Sequence, residues 1–142
     1  RLAESAMEKL APFFPGLRGK WTAGVTLPGG GFAPDATAQV IRALAASYPF
    51  LTPQWAERMV RHYGLEARDI LGNARTTEDL GRSFGATLTE AEVKWLMARE
   101  WARRAEDVVW RRTKLGLRLT TEQIAALDIY MTERAQPAPV AE

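Results

Sequence analysis

Thr52–Pro53, followed by Trp55, Met59, Val60 and Tyr63 and then by Gly64, spells out one complete α-helix. A threonine hydroxyl can accept from the free amides of a first turn, and proline suits the first helical position, where an N–H would go unpaired anyway. The four apolar residues recur at helical spacing, and glycine takes the backbone conformation that ends the run. The same punctuation recurs along the chain. Leu2, Ala6, Met7 and Leu10 share one face of a helix over residues 1–11 that Pro12 ends. Asp35 is placed to cap a helix over 36–47, with Val40, Ile41, Leu44 and Tyr48 on one side and Pro49 as the stop. A short helix over 66–71 and a further start at Thr77 follow. Thr89–Glu90–Ala91–Glu92 reads as a capping box, opening a helix that carries Val93, Leu96, Met97 and Trp101 inward. A helix over 106–114 is anchored by Val109 and Trp110. Thr120 and Gln123 form a second box before Ile124, Leu127, Tyr130 and Met131. β-branched alternation is nearly absent, and 84–88 is the one stretch that reads as extended. The expected fold is all-α, an irregular bundle of about six helices with a Gly-rich N-terminal loop.

That loop, from Pro15 to Pro34, holds six glycines, including Gly29–Gly30–Gly31, together with Trp21, Val25 and Leu27, whose side chains call for burial. A connection this long inside a compact domain is unusual and is expected to pack along a surface. The tail Gln136–Glu142, with Pro137 and Pro139, reads as loosely extended. Because the chain opens on Arg1 with helical periodicity already under way, we expect it to be excised from a longer protein.

The 142 residues suit one domain, and 46% hydrophobic with 25% charged residues is ordinary globular usage. No apolar run approaches the roughly 18–20 residues that span a bilayer, and the start lacks a secretory pattern. With no cysteine, thiolate catalysis, disulfides and cysteine metal sites are excluded. The net charge is only +2, from 19 basic and 17 acidic residues, which is too balanced for a chain built to hold a nucleic-acid backbone.

Few residues offer chemistry. His62 is the lone histidine, without an evident orienting carboxylate or nucleophile, and reads as structural or surface-borne. Gly29–Gly30–Gly31 lacks the strand, the glycine spacing and the Lys–Ser/Thr pair of a phosphate loop, and reads as a close turn packed on a neighbour. The densest segment is Glu92–Lys114, where Trp95, Trp101 and Trp110 interleave with charges. Its acids and bases stand at helical i, i+3 and i+4 separations, as in Asp107 and Arg111, which favours internal pairing over capture of phosphate. Exposed pairs of that kind stabilise by less than about 1 kcal/mol each, so their density suggests a docking surface. Its candidate residues are Glu100, Arg103, Arg104, Glu106, Asp107, Trp110, Arg111, Arg112 and Lys114. No catalytic, cofactor-binding or metal-ligating residue is expected. Two other readings stay open: a free-standing helical module that binds another protein, and an anion or nucleic-acid binder using Arg103, Arg104, Arg111 and Arg112.

Several stretches carry a family resemblance. Glu92–Leu96, Glu100–Asp107 and Trp110–Gly116 resemble the C-terminal domain of FAD-dependent (aerobic) glycerol-3-phosphate dehydrogenase. So do Trp21–Thr22 with Leu27–Gly30, Tyr48–Thr52, Leu71–Ala74 with Asp79–Gly81, and Phe84–Gly85. Arg1–Glu4 and Glu8–Leu10 are similar to the helix that follows the family's FAD-contacting motif. The resemblance implies a whole enzyme that oxidises sn-glycerol 3-phosphate to dihydroxyacetone phosphate, passing electrons through FAD to a quinone at the cytoplasmic face of the inner membrane. It implies that FAD and the catalytic groups belong to a part preceding Arg1, so that this chain holds no cofactor and does not turn over unaided. Residues 1–11 would then belong to the edge of the FAD domain, leaving Leu2, Met7 or Leu10 exposed, and 12–135 would form the helical cap, with 136–142 a flexible tail. The implied partners are the FAD and substrate domain of the same chain and a second copy of the enzyme, with quinone and membrane met only by the whole protein, and no nucleic acid.

Overall fold

A computed structural model describes residues 2–135 of the chain; Arg1 and the 136–142 tail lie outside them. Six α-helices form the framework: α1 (Leu2–Leu10), α2 (Thr37–Ser47), α3 (Pro53–Tyr63), α4 (Ala67–Leu71), α5 (Glu90–Arg99) and α6 (Thr121–Ala135). A π-helix spans Asp107–Arg112, and a small antiparallel hairpin pairs β1 (Ser83–Gly85) with β2 (Leu88–Thr89). The all-α irregular bundle read from the sequence is the observed architecture, and its one extended stretch is this hairpin.

α3 follows its sequence signals closely. The Thr52 side chain accepts from the Trp55 amide, Pro53 opens the helix, and Trp55, Met59, Val60 and Tyr63 are buried. α6 starts on the expected reciprocal box, with the Thr120 amide donating to Gln123 Oε1 and the Gln123 amide to Thr120 Oγ1. Leu44, Tyr48, Met59, Leu96, Val108, Leu127 and Met131 meet in one core between residues 44 and 131.

Other local signals are overridden. Asp35 does not cap α2; a 3-10 turn over Pro34–Ala36 leads in, and the Thr37 hydroxyl donates to the Pro34 carbonyl. Thr89 makes no side-chain cap at α5, and Glu92 does not reach back to complete a box. The Glu90 amide instead donates to the Arg82 carbonyl at 2.8 Å, continuing the hairpin's pairing, which frees Glu92 to turn inward. Trp101 is not carried inward: α5 ends at Arg99, and Trp101 adopts a left-handed backbone (φ 53) with its ring 75% exposed. The expected helix over 106–114 is instead wound as the π-helix, closed by the Thr113 amide donating to the Val108 carbonyl. The wider turn buries Val108 and Val109 together and leaves Trp110 half out, so Val108 replaces Trp110 as the second anchor.

The N-terminal region stands apart energetically. α1 buries no residue, and Leu2, Met7 and Leu10 are all exposed. Glu4 ties α1 to the loop by accepting from the Trp21 and Thr22 amides and the Thr22 hydroxyl, and Glu8 pairs with Lys20 at 2.8 Å. Contrary to their apolar character, Trp21, Val25 and Leu27 are exposed, because no described element packs over this side of the loop. The loop is pinned to the bundle at Gly29, whose carbonyl accepts from the Leu65 amide at 2.9 Å just past the end of α3. The glycine triplet is therefore a close backbone packing turn, as its sequence context indicated.

Glu90 gathers a surface network: Lys94 Nζ lies 2.7 Å from its carboxylate, Arg134 Nη2 3.2 Å, and the Arg82 amide donates at 3.3 Å. The Lys94 contact first, then the Arg82 amide, lowers its pKa from the usual carboxylate range to about 2. A group depressed on folding adds stability that is present above its unfolded pKa and lost as pH falls through its folded one. Acid titration monitored by circular dichroism should therefore show stability draining away between about pH 4.5 and 2. Glu90→Gln should flatten that part of the profile, whereas an unchanged slope would assign the acid sensitivity to other carboxylates.

Candidate functional site

The segment Glu100–Lys114 divides into groups consumed by the fold and groups left at the surface. Arg112 is consumed. Its guanidinium donates to the Glu100 carbonyl through Nε at 3.0 Å and through Nη2, and to the Asp107 carbonyl at 3.3 Å; the Glu100 carboxylate stands 3.7 Å away. It staples the exit of α5 to the π-helix. Asp107 accepts from the Arg103 and Arg104 amides at 2.9 and 3.1 Å and pairs with Arg111 at 2.6 Å. Those amides, then the Arg111 guanidinium, hold its carboxyl below the ordinary range. The Asp128 carboxylate likewise accepts from the Ala105 amide at 3.0 Å, tying this turn to α6. The Lys114 ammonium donates to the Trp110 carbonyl, and Lys114 itself holds a left-handed backbone (φ 58).

What remains outward is Arg103, Arg104, Glu106, the 40% exposed Trp110, the far side of Arg111 and Lys114. The structure thus splits the nine expected docking residues, with Glu100, Asp107 and Arg112 bonded internally. Two further exposed side chains were not anticipated. Trp101 was placed inside, yet it projects beside Arg103 and Arg104 in chain order; Leu117, 79% exposed, had no signal. A left-handed backbone at an exposed tryptophan costs roughly 1–2 kcal/mol where glycine would cost little. Departures from a local rule without local compensation tend to mark surfaces kept for a partner.

The most tightly built polar cluster lies elsewhere, inside the bundle. Arg58 on α3 and Glu92 on α5 form a two-pronged pair (Nη1–Oε1 2.6 Å, Nη2–Oε2 2.7 Å) whose side chains are 10% and 1% exposed. The Tyr63 hydroxyl donates to the same carboxylate at 2.7 Å. Arg58 also donates to the Thr87 hydroxyl at 2.9 Å and carbonyl at 3.1 Å, gripping the hairpin turn where Ala86 and Thr87 both hold positive φ. Burial, and then the Glu92 charge, pushes the Tyr63 hydroxyl well above its usual range. The Tyr63 proton is committed to Glu92 and the buried ion pair is satisfied on both sides, so the cluster acts as a structural lock. His62 is exposed, with Nδ1 2.8 Å from the Arg58 carbonyl, and among the described residues no carboxylate orients it.

Residues 20–135 match the family described as the C-terminal domain of alpha-glycerophosphate oxidase. The chain belongs to that family. Among curated relatives, this family member is 43% identical over 96% of its length to aerobic glycerol-3-phosphate dehydrogenase of Escherichia coli (strain K12), covering 27% of that protein. It is 41% identical over 88% of its length to D-erythritol 1-phosphate dehydrogenase of Brucella abortus (strain 2308), and 40% identical over 92% to glycerol-3-phosphate dehydrogenase of Pseudomonas aeruginosa, covering 25% of each. The chain thus spans about a quarter of the length of the curated relatives it matches. The C-terminal-domain resemblance read from the Trp- and Arg-rich segment holds across the chain. No helix among the described residues is long and apolar enough to cross a membrane.

Proposed function

We propose that this chain is the non-catalytic C-terminal helical domain of an FAD-dependent glycerol-3-phosphate dehydrogenase. The whole enzyme oxidises sn-glycerol 3-phosphate to dihydroxyacetone phosphate and passes electrons through FAD to a quinone, bound peripherally at the cytoplasmic face of the inner membrane. The observation that carries this reading is 43% identity along 96% of the chain to only 27% of a dehydrogenase bearing that name. The cofactor supplies the redox chemistry, and its binding residues lie in the other three-quarters.

The domain's role is to dock on the catalytic body. Two surfaces support this. The segment 1–11 belongs to the edge of the body's FAD domain in our reading, and its exposed Leu2, Met7 and Leu10, with Phe13, Trp21 and Leu27 after it, are the apolar side that the body covers. Trp101 and Trp110 with Arg103, Arg104 and Arg111 form the second contact, since exposed tryptophan and arginine are the side chains that most often anchor interfaces.

The purified chain should show no flavin absorbance and no oxidation of sn-glycerol 3-phosphate, and should bind the separately made FAD domain. Flavin retained by the chain alone, or turnover without the body, would end the proposal. Trp101→Gly separates docking from folding. In the chain alone it should raise stability by about 1 kcal/mol by relieving the left-handed backbone. In the full-length enzyme, Trp101→Gly and the pair Trp110→Ala with Arg111→Ala should loosen domain association, the tryptophans by about 2 kcal/mol each. Unchanged stability, dimerisation and activity of the full-length variants would remove this surface from the contact.

A further inference from the structure

A groove of about 400 Å³ opens between α3 and the turn that follows the π-helix, lined among others by Gln54, Glu57, Arg61, His62, Lys114 and Arg118. Its charge is unbalanced. Arg58 forms part of the wall but is neutralised by Glu92. Arg61 is held by Glu57 at 2.8 Å in an exposed pair, which is weak enough to yield to a stronger anion. Lys114 and Arg118 have no carboxylate within ion-pair reach among the described residues. Three cations therefore face the single carboxylate of Glu57.

The arrangement also supplies directional donors. The Lys114 ammonium spends one N–H on the Trp110 carbonyl and keeps two. His62 Nδ1 lies 2.8 Å from the Arg58 carbonyl, which can only accept, so Nδ1 carries the proton of that bond and Nε2 is the ring's uncommitted nitrogen. Cations in the last turn of α3 are favoured by the helix dipole, and this accounts for Arg61 and His62. It does not account for Lys114 and Arg118, which approach from a separate element, nor for the left-handed backbone held at Lys114. Leu115 and Leu117 add an apolar side, and the Gln54 amide a neutral polar one.

We propose that this groove is a binding site for a small phosphate monoester. A compact dianion with three terminal oxygens suits an ammonium and the guanidiniums that converge with it on one groove. The volume admits a short polyol chain, whose hydroxyls and carbons would meet Gln54 and the leucines.

The test is an NMR titration of the 142-residue chain with inorganic phosphate and, separately, sn-glycerol 3-phosphate, against sodium chloride at matched ionic strength. Saturable shifts centred on His62, Lys114 and Arg118, with the ester at least as tight as inorganic phosphate, are expected. Lys114→Asn, which keeps a residue tolerant of left-handed backbone, combined with Arg118→Gln should weaken binding by about tenfold or more while leaving the thermal midpoint in place. Arg118→Gln alone, at an exposed position, should weaken it measurably and guards against a folding defect in the double variant. Shifts that merely follow ionic strength, or an affinity unchanged in both variants, would overturn the site.

Discussion

Glu92→Ala is expected to destabilise the chain by about 3–5 kcal/mol, the largest effect of any single substitution outside the apolar core. The substitution removes a carboxylate that satisfies three groups and leaves the Arg58 guanidinium buried without a counter-charge. It also frees Arg58 from the geometry in which it grips Thr87, so the positive-φ turn at Ala86–Thr87 loses its hold. Against a domain stability of about 5–15 kcal/mol, such a loss puts the variant near the edge of folding. Urea denaturation of wild type, Glu92→Ala, Arg58→Met and the double variant Arg58→Met with Glu92→Leu gives the decisive cycle. Each single change should be severe, because each strands a charge. The double variant should recover most of the loss, because an apolar pair in the same place strands none. Additive losses in the cycle would mean that the pair contributes only through packing.

Gly64→Ala is expected to cost about 2–4 kcal/mol, combining backbone strain with a lost contact. Gly64 ends α3 at φ 55, ψ −127, a region that side chains rarely enter. A Cβ there would also meet the Gly29 carbonyl well inside contact distance. That carbonyl is the acceptor for the Leu65 amide, so the loop carrying Gly29 must lift away from the bundle. Gly72 provides an internal control: it ends α4 at nearly the same dihedrals, φ 54 and ψ −129, with nothing near its would-be Cβ. Gly72→Ala should therefore show the strain alone, and the difference between the two variants isolates the loop contact. Limited proteolysis should cut the 22–33 stretch faster in Gly64→Ala but not in Gly72→Ala. Equal cleavage in both would mean that the loop is not held at this point.

These two sites show where reading from residues to structure succeeds and where it stops. Glycine at the end of α3 was legible from position alone, because helix termination is decided by the few residues around it. That Gly29 would press against it was not, although the triplet's close-packing role was. Thr52–Pro53 and Thr120 with Gln123 read true because a cap and its target lie within three residues. Glu92 has the same local credentials as a box partner, and local credentials misled. Its partner Arg58 stands 34 residues away, and a two-pronged buried pair outweighs one exposed capping bond.

The docking surface was half legible for the same reason. Charge density and tryptophan content pointed to 100–114, but whether a given arginine is spent on a backbone carbonyl, as Arg112 is, depends on where the preceding helix ends. Helical periodicity placed Trp101 inside only on the assumption that α5 continued; the chain turned two residues earlier, and the ring went out.

By itself the sequence determined the fold class, most helix starts and stops, the apolar stripes and the family, all of which rest on patterns repeated within a turn or two of helix. Only the tertiary structure decided which charges pair in the interior, which tryptophans face solvent and how the glycine loop is pinned. Those outcomes depend on groups dozens of residues apart, and their energies come from excluding water, which happens only once the elements have packed.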